Sequence, residues 1–493
     1  MMPNFLKKRA FLTPERTALY FQNETITFKR LYDRALEVAG KLQAKGLQKG
    51  DFAGVLLKNH SDTVVILFAL QLLGVRAVIL NNRLTATELL WQLTDSKSQF
   101  FIMESSFSAV LNNDLPSTLQ WMTKEQLFQT EGVVPVIQDE IDLTDVCTIM
   151  YTSGTTGNPK GVMQTYGNHW WSSVGSLLNL GFMDQDCWLC SVPLFHISGY
   201  SILMRSVIYG MPIVLHERFD VQKTLDDLKE KRVTIMSVVT TMLTGIVDEL
   251  GDQNLPSQFR CMLLGGGPAS LPLLQACVAK QIPVFQTYGM TETSSQIVTL
   301  SPEYSLTKLG SAGKPLFPSQ IKVVLENGEE ASLGESGEIV VKGANVTTGY
   351  LYRPVATKEK FHDGWLYTGD IGYLDGEGFL YVQDRRADLI ISGGENIYPA
   401  EIESALLAHP DIVDAGVIGL EDEKWGQIPI AFIVKKNGED LSESDVQQFC
   451  LKRLAKYKVP NQIYFIEKLP RNAAKKLLRR QLRELLKEGG MEV

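Results

Sequence analysis

Short apolar, β-branched stretches alternate with longer helix-patterned ones through the first part of the chain, and no other feature limits its fold so strongly. "DFAGVLLKN" (51–59) reads as a strand, "SDTVVILFALQLLG" (61–74) as a helix opened by a Ser/Asp cap, and "RAVIL" (76–80) as a strand. "TATELLWQLTDS" (85–96) follows as a helix and "QFFIM" (99–103) as a strand. The pattern returns in "MPIVLHE", "DVQKTLDDLKEKR", "VTIMSVV", "FRCMLLGGG", "SLPLLQACVAKQ" and "IPVFQTYG" between residues 211 and 289. Such alternation predicts parallel sheets covered by helices on both faces. The longest apolar stretch, "TVVILFALQLLGVRAVIL", is interrupted by Gln71, Gly74 and Arg76, which predicts a buried helix and then a strand in place of a membrane span.

The texture then changes twice. From about residue 310, "SQIKVVLENGEE" and "SGEIVVKG" are short alternating strands with glycine turns, predicting a β-rich subdomain over 310–386. From 387 the order is helix, strand, turn, strand, then "SESDVQQFCLKRLA" as a helix and "QIYFIEKLP" as a strand, a compact α+β domain. The expected fold class is α/β: a large N-terminal region of stacked α/β sheets (1–386) that includes the β-rich subdomain, followed by a small α+β C-terminal domain (387–493).

Charge and cysteine usage exclude several classes. With 44% hydrophobic and 21% charged residues the chain has the composition of an ordinary globular protein, and its net charge of −8 gives nucleic-acid binding no electrostatic support. The N-terminal "MMPNFLKKRAFLTPE" has no apolar core or small-residue cleavage site, so neither a secretory signal nor a membrane anchor is expected. Six cysteines without a repeating spacing predict a reduced, cytoplasmic setting, and the lone pair Cys187 and Cys190 lacks the partners of a zinc site. The segment 452–487 is basic on an acidic chain, either a solvated helix face or a cationic surface toward an anionic ligand. A homodimer and a homotetramer both stand open.

Three glycine-rich turns follow expected strands: "TSGTTGNPKG", "LLGGGPAS" and "QTYGMTET". Open parallel sheets bind ligands at the carboxyl ends of their strands, where backbone amides and hydroxyls satisfy phosphate oxygens and a lysine such as Lys160 adds a point charge. The first is no kinase-type loop, because Lys160 is followed by Gly161 and not by Ser or Thr. Glu292 has the oxygen chemistry to hold magnesium, and Asp370 at the end of "YTGD" can accept two ribose hydroxyls. Singly, these residues are also a tight turn, a solvated cap, an Asx turn or, for His196 in "PLFHISG", a packed histidine.

In order along the chain, "YTSGTTGNPKG", "PLFHISG", "YGMTE", "YTGD", "DRRADLIISGGENIYPAEIE" and "PRNAAKKLLR" resemble the motifs of the adenylate-forming superfamily of acyl-CoA synthetases, adenylation domains and luciferases. The resemblance implies an AMP-forming acid–thiol ligase using ATP, magnesium and coenzyme A, with a mobile C-terminal domain. It implies that Thr152, Ser153, Gly154, Thr155, Thr156, Gly157 and Lys160 hold the β- and γ-phosphates, and that the turns at Gly266, Gly267, Tyr288 and Gly289 border the nucleotide. Tyr288 would stack on adenine, Thr291 contact the α-phosphate, Glu292 bind magnesium, and Asp370 and Arg385 bind the ribose.

His196 would stand at the mouth of the acid pocket and Lys476 would serve adenylation. Lys475 occupies the place where the family commonly has glycine, and Ala387 falls at its hinge, where Asp or Lys is usual. Gly393 and Gly394 would line the thiol channel. Several stretches, "CMLLGGGPASLPLL" and "FQTYGMTETSSQIVTLSPEYS" among them, are most similar to the ligases that activate 2-succinylbenzoate for menaquinone biosynthesis. That acid needs a flat apolar slot and a donor for its second carboxylate, for which Ser198, Arg205 and Thr241 are candidates. Another aryl or medium-chain acid, or a nucleotide-binding regulator forming no product, are the alternatives.

Overall fold

In the computed structural model the residues described are 1–111, 115–152, 159–266, 269, 271–384, 389–436, 441–470 and 477–488. They form two compact units, one of Met1–Asn82, Gln92–Tyr151 and Gly161–Asp384, the other of Arg83–Trp91, Thr152–Lys160 and Arg385–Val493.

The first unit contains two large sheets. One runs Lys160–Thr165, Val146–Thr152, Arg76–Ile79, Phe52–Leu56, Phe100–Met103 and Gln120–Thr123, parallel from the second of these strands onward. Phe52–Leu56 and Phe100–Met103 are buried along their whole length, as expected of parallel strands covered on both faces. The helix Ser61–Leu73 is buried on every side, the behaviour of an all-round apolar helix. Within it the buried amide of Gln71 donates from Nε2 to the Tyr200 hydroxyl at 2.7 Å, and Gly74 ends it at φ +70°, a torsion that disfavours any side chain. No helix among the described residues is long and apolar enough to cross a membrane.

The other sheet has a parallel centre, in the order Thr17–Phe21, Ile213–Leu215, Trp188–Cys190, Ile235–Val238, Cys261–Leu264 and Val284–Met290. It turns antiparallel at Ser295–Leu300 and continues through Ser311–Pro315 into Leu380–Asp384, Trp365–Leu374, Gly337–Gly343 and Ser319–Val324. The β-rich segment is thus hydrogen-bonded to the large sheet as its antiparallel extension. Gly313 makes that junction, because a Cβ there would lie 2.0 Å from the Thr299 carbonyl.

In the second unit the strands Ile390–Ser392, Glu395–Ile397, Gly426–Lys435, Ile412–Asp422 and Gln462–Phe465 form one sheet. The helices Pro399–Leu407 and Glu443–Leu451 pack on it through Ile402, Leu406, Val446 and Cys450. Ser442 and Asp445 close a capping box at the start of the second helix. Part of the basic tail is internal: Lys458 is 4% exposed, and its ammonium donates to Glu88 and Glu401 at 2.7 Å each. Burial alone would lower its pKa, but Glu401, Tyr457 and Glu88 together hold it above the ordinary lysine value, so it stays charged. Arg479 likewise donates from Nε to the Val417 carbonyl at 3.0 Å and forms an ion pair with Glu403 at 2.5 Å.

Candidate active site

The strand Val284–Met290 and its partner Ser295–Leu300 are joined by a short turn that carries Thr291 and Glu292. Gly289 lets the strands close, since a Cβ would sit 2.1 Å from the Ser295 carbonyl oxygen. Glu292 is half-buried, and its Oε1 accepts the Tyr350 hydroxyl at 3.1 Å. Among the described residues no three His, Cys, Asp or Glu side chains gather into a metal cage. One carboxylate beside a threonine hydroxyl nevertheless fits magnesium, which takes one or two carboxylates and completes its shell with water and substrate phosphate.

Asp370 lies on Trp365–Leu374 just after Gly369, whose φ of +81° and bond from its N–H to Glu338 Oε1 (2.7 Å) shape the bend. The Asp370 carboxylate is 8% exposed and accepts the Tyr288 hydroxyl at 2.7 Å. The Tyr288 ring itself is 2% exposed. What the strand offers is therefore a phenol that orients a carboxylate, while the expected adenine-stacking face is covered in this arrangement.

His196 caps the helix Ile197–Tyr209, half-buried, its ring 4.7 Å from that of Phe195. Asn59 fastens the preceding loop, donating to the carbonyls of Val192 and His216 at 3.0 Å and accepting the Leu194 N–H at 2.8 Å. Of the three acid-pocket candidates, Ser198 and Thr241 are exposed. Arg205 is neither on a surface helix face nor open to solvent: it is 1% exposed, stacked 5.0 Å from the Trp188 ring, with Nη2 donating to Ser295 Oγ at 3.1 Å. Burial lowers its pKa, and its Nε has no hydrogen-bond partner among the described residues.

Thr152 ends one strand and Lys160 opens the next. Ser153, Gly154, Thr155, Thr156, Gly157, Gly267, Arg385, Ala387, Lys475 and Lys476 lie outside the described residues. Gly266 has φ +86°, and Gly393 and Gly394 have φ +56° and +86°, all in the region that glycine adopts most readily. A Cβ on Gly393 would meet the Trp425 ring at 2.9 Å.

A family model described as "AMP-binding enzyme" matches residues 6–351, and one described as "AMP-binding enzyme C-terminal domain" matches 401–476. The chain belongs to the AMP-binding enzyme family. A 2-succinylbenzoate–CoA ligase of Geobacillus kaustophilus is 56% identical over 485 residues, 98% of both chains. The o-succinylbenzoate CoA synthetase of Bacillus subtilis is 50% identical over 98% of this chain. The TM-score is 0.94 for a double mutant bound with the product analogue OSB-NCoA and 0.77 for the complex with the acyl-adenylate intermediate OSB-AMP. Its complex with ATP and magnesium ion also superposes with a TM-score of 0.77.

Among the elements of this AMP-binding enzyme that the sequence pattern did not predict is the helix Tyr166–Leu180. Its local signal is the capping box of Thr165 and Asn168. His169 on this helix is 1% exposed, with Nε2 2.9 Å from the Thr148 hydroxyl, which donates to Gln164 Oε1 at 2.8 Å. Burial pushes its pKa down from 6.5 to about 3. The unfolded chain therefore binds a proton that the folded chain refuses. The associated stability is complete above pH 6.5 and is lost as pH falls toward 3, by up to about 1.4 kcal/mol per pH unit. Urea unfolding of His169→Gln is expected to show about 2 kcal/mol less loss between pH 6.5 and 5 than the parent. Identical pH dependence in the two proteins would remove His169 as the source.

Proposed function

We propose that the chain is an AMP-forming ligase that joins 2-succinylbenzoate to coenzyme A through an acyl-adenylate, in menaquinone biosynthesis. The observation that carries this reading is near full-length similarity, at 50–56% identity, to ligases of that name and to a synthetase solved with its acyl-adenylate and with a product analogue. The buried, unbridged state of all six cysteines supports a reducing, cytoplasmic setting.

A carboxylate resists a thiol because oxide is a poor leaving group, so the acid is first activated. A carboxylate oxygen attacks the α-phosphorus of ATP and pyrophosphate departs; the thiolate sulfur then attacks the acyl carbon and AMP departs. Thr152, Ser153, Gly154, Thr155, Thr156, Gly157 and Lys160 grip the departing pyrophosphate, and Thr291 steadies the α-phosphate. Asp370, oriented by Tyr288, holds the ribose with Arg385. Glu292 is the residue to hold magnesium, which when bound neutralises phosphate charge. Lys476 stabilises charge in the first step, and His196 borders the acid.

The test is AMP and pyrophosphate release from ATP, magnesium and coenzyme A with 2-succinylbenzoate, run beside benzoate, cinnamate, octanoate and no acid. Stimulation by 2-succinylbenzoate alone, with its thioester as product, is expected. Preference for another acid would discard the menaquinone role and keep the mechanism, and no AMP with any acid would discard both.

A further inference from the structure

The turn that carries Thr291 and Glu292 is strained, and its shape is imposed from outside. Ser294 and Ser295 have φ of +52° and +112°, consecutive non-glycine residues in a region that side chains disfavour. Every backbone carbonyl from 291 to 295 is caught. Gln164 Nε2 donates to the Thr291 carbonyl at 2.9 Å, the Thr347 N–H to that of Glu292 at 2.7 Å, and Asn345 Nδ2 to that of Thr293 at 3.0 Å. The Ser172 hydroxyl donates to the Ser294 carbonyl, and the Thr293 hydroxyl to that of Ser295, both at 2.6 Å.

Behind these donors stands the helix Tyr166–Leu180. Asn168 Nδ2 donates to the carbonyls of Ala344 and Val346 at 3.0 and 2.8 Å, fixing the loop that holds Asn345 and Thr347. His169 meets Thr148, which in turn engages Gln164. Asn168 and Ser172 are four apart and so share one helix face. Gln164, Asn168, His169, Ser172 and Asn345 are all buried. Buried polar groups that converge on one turn and hold its backbone restrict the movement of Thr291 and Glu292, which it carries.

We propose that Gln164, Ser172 and Asn345, backed by Asn168 and His169, are positioning residues that hold the Thr291–Ser295 turn in its strained form and thereby set the affinity of the site for magnesium–ATP. This rests on the reading of Glu292 as the magnesium residue. Outer partners of metal ligands typically change metal affinity by about 10- to 100-fold when removed.

The experiment measures the magnesium concentration that half-saturates binding of ATP to the protein in the absence of acid and coenzyme A, by titration calorimetry, and beside it the rates of ATP–pyrophosphate exchange and of conversion of supplied acyl-adenylate to thioester. Asn345→Ala and Ser172→Ala are each expected to raise the half-saturating magnesium concentration about tenfold, with the thioester step within about twofold of the parent. The proposal is overturned by an unchanged magnesium requirement in a folded variant, by equal slowing of both half-reactions, or by failure of both variants to fold. Glu292→Ala separates the two readings. If its magnesium requirement is also unchanged, the assignment of the site has failed; if it alone responds, only the positioning role has.

Discussion

Lys476→Ala is expected to slow acyl-adenylate formation by about a thousandfold while conversion of supplied acyl-adenylate to thioester stays within about twofold of the parent. The first step moves negative charge onto phosphate oxygens around the α-phosphorus. A lysine ammonium is a compact point charge that helps only where that charge develops. The second step breaks the acyl–phosphate bond of a species already made, by attack at the acyl carbon and not at phosphorus. Lys475→Ala is expected to leave adenylation within about tenfold of the parent, and the reverse ranking would reassign the role. The two half-reactions, followed by pyrophosphate exchange and by thiol consumption, decide it; equal loss of both in Lys476→Ala would sink the assignment.

What could be read in the sequence follows from which physical signals are local. The helix Ser61–Leu73 and the strands on either side of it are legible because apolar runs and a terminal glycine act within a few residues. The C-terminal unit is legible for the same reason: Ile412–Asp422 and Gly426–Lys435 are apolar, β-branched runs, and the helix that follows them opens on the capping box of Ser442 and Asp445. The helix Tyr166–Leu180 escapes that reading because its buried side includes Asn168, His169, Ser172, Ser173 and Ser176. A helix that buries hydrogen-bonding groups has no apolar stripe to detect.

Strand order is not legible either. The three glycine-rich turns look like rims of one body, yet the first follows Val146–Thr152 of the six-stranded sheet, whereas the other two follow Cys261–Leu264 and Val284–Met290, neighbours in the larger one. Crossovers decide such adjacency, and they leave no mark on the residues they bring together. At the site, the motifs name Glu292 and Asp370 but not the groups that hold them. Tyr350 lies 58 residues from Glu292 and Tyr288 lies 82 from Asp370, so neither pairing has a local signature. Arg205 shows the converse. A single arginine on an apolar helix suggests a surface or a pocket, and only the fold shows it sealed between Trp188 and Ser295.

Asp370→Ala is expected to lower kcat/KM for ATP by about 100- to 10,000-fold, chiefly through KM. Hydrogen bonds to a charged group contribute about 1.5–3 kcal/mol each, and a carboxylate facing two ribose hydroxyls has two to lose. The ribose is not where charge develops, so these bonds are made equally in ground and transition states and their loss appears as weaker binding. The same substitution orphans the Tyr288 hydroxyl, which donates to Asp370 at 2.7 Å from a ring 2% exposed. An unsatisfied buried donor costs about 1–3 kcal/mol, so Asp370→Ala also lowers stability. Asp370→Asn keeps an oxygen for Tyr288 and gives up only the charge, so it is expected to restore most of the stability and to fall between parent and alanine in KM. Tyr288→Phe removes the orienting phenol without touching the carboxylate, and is expected to raise KM for ATP by less than either. Steady-state kinetics at saturating acid, read beside thermal unfolding of the three variants, tests the order. If Asp370→Ala leaves KM for ATP unchanged and only the unfolding temperature falls, the pair is a structural bond of the antiparallel extension, and the ribose is held elsewhere.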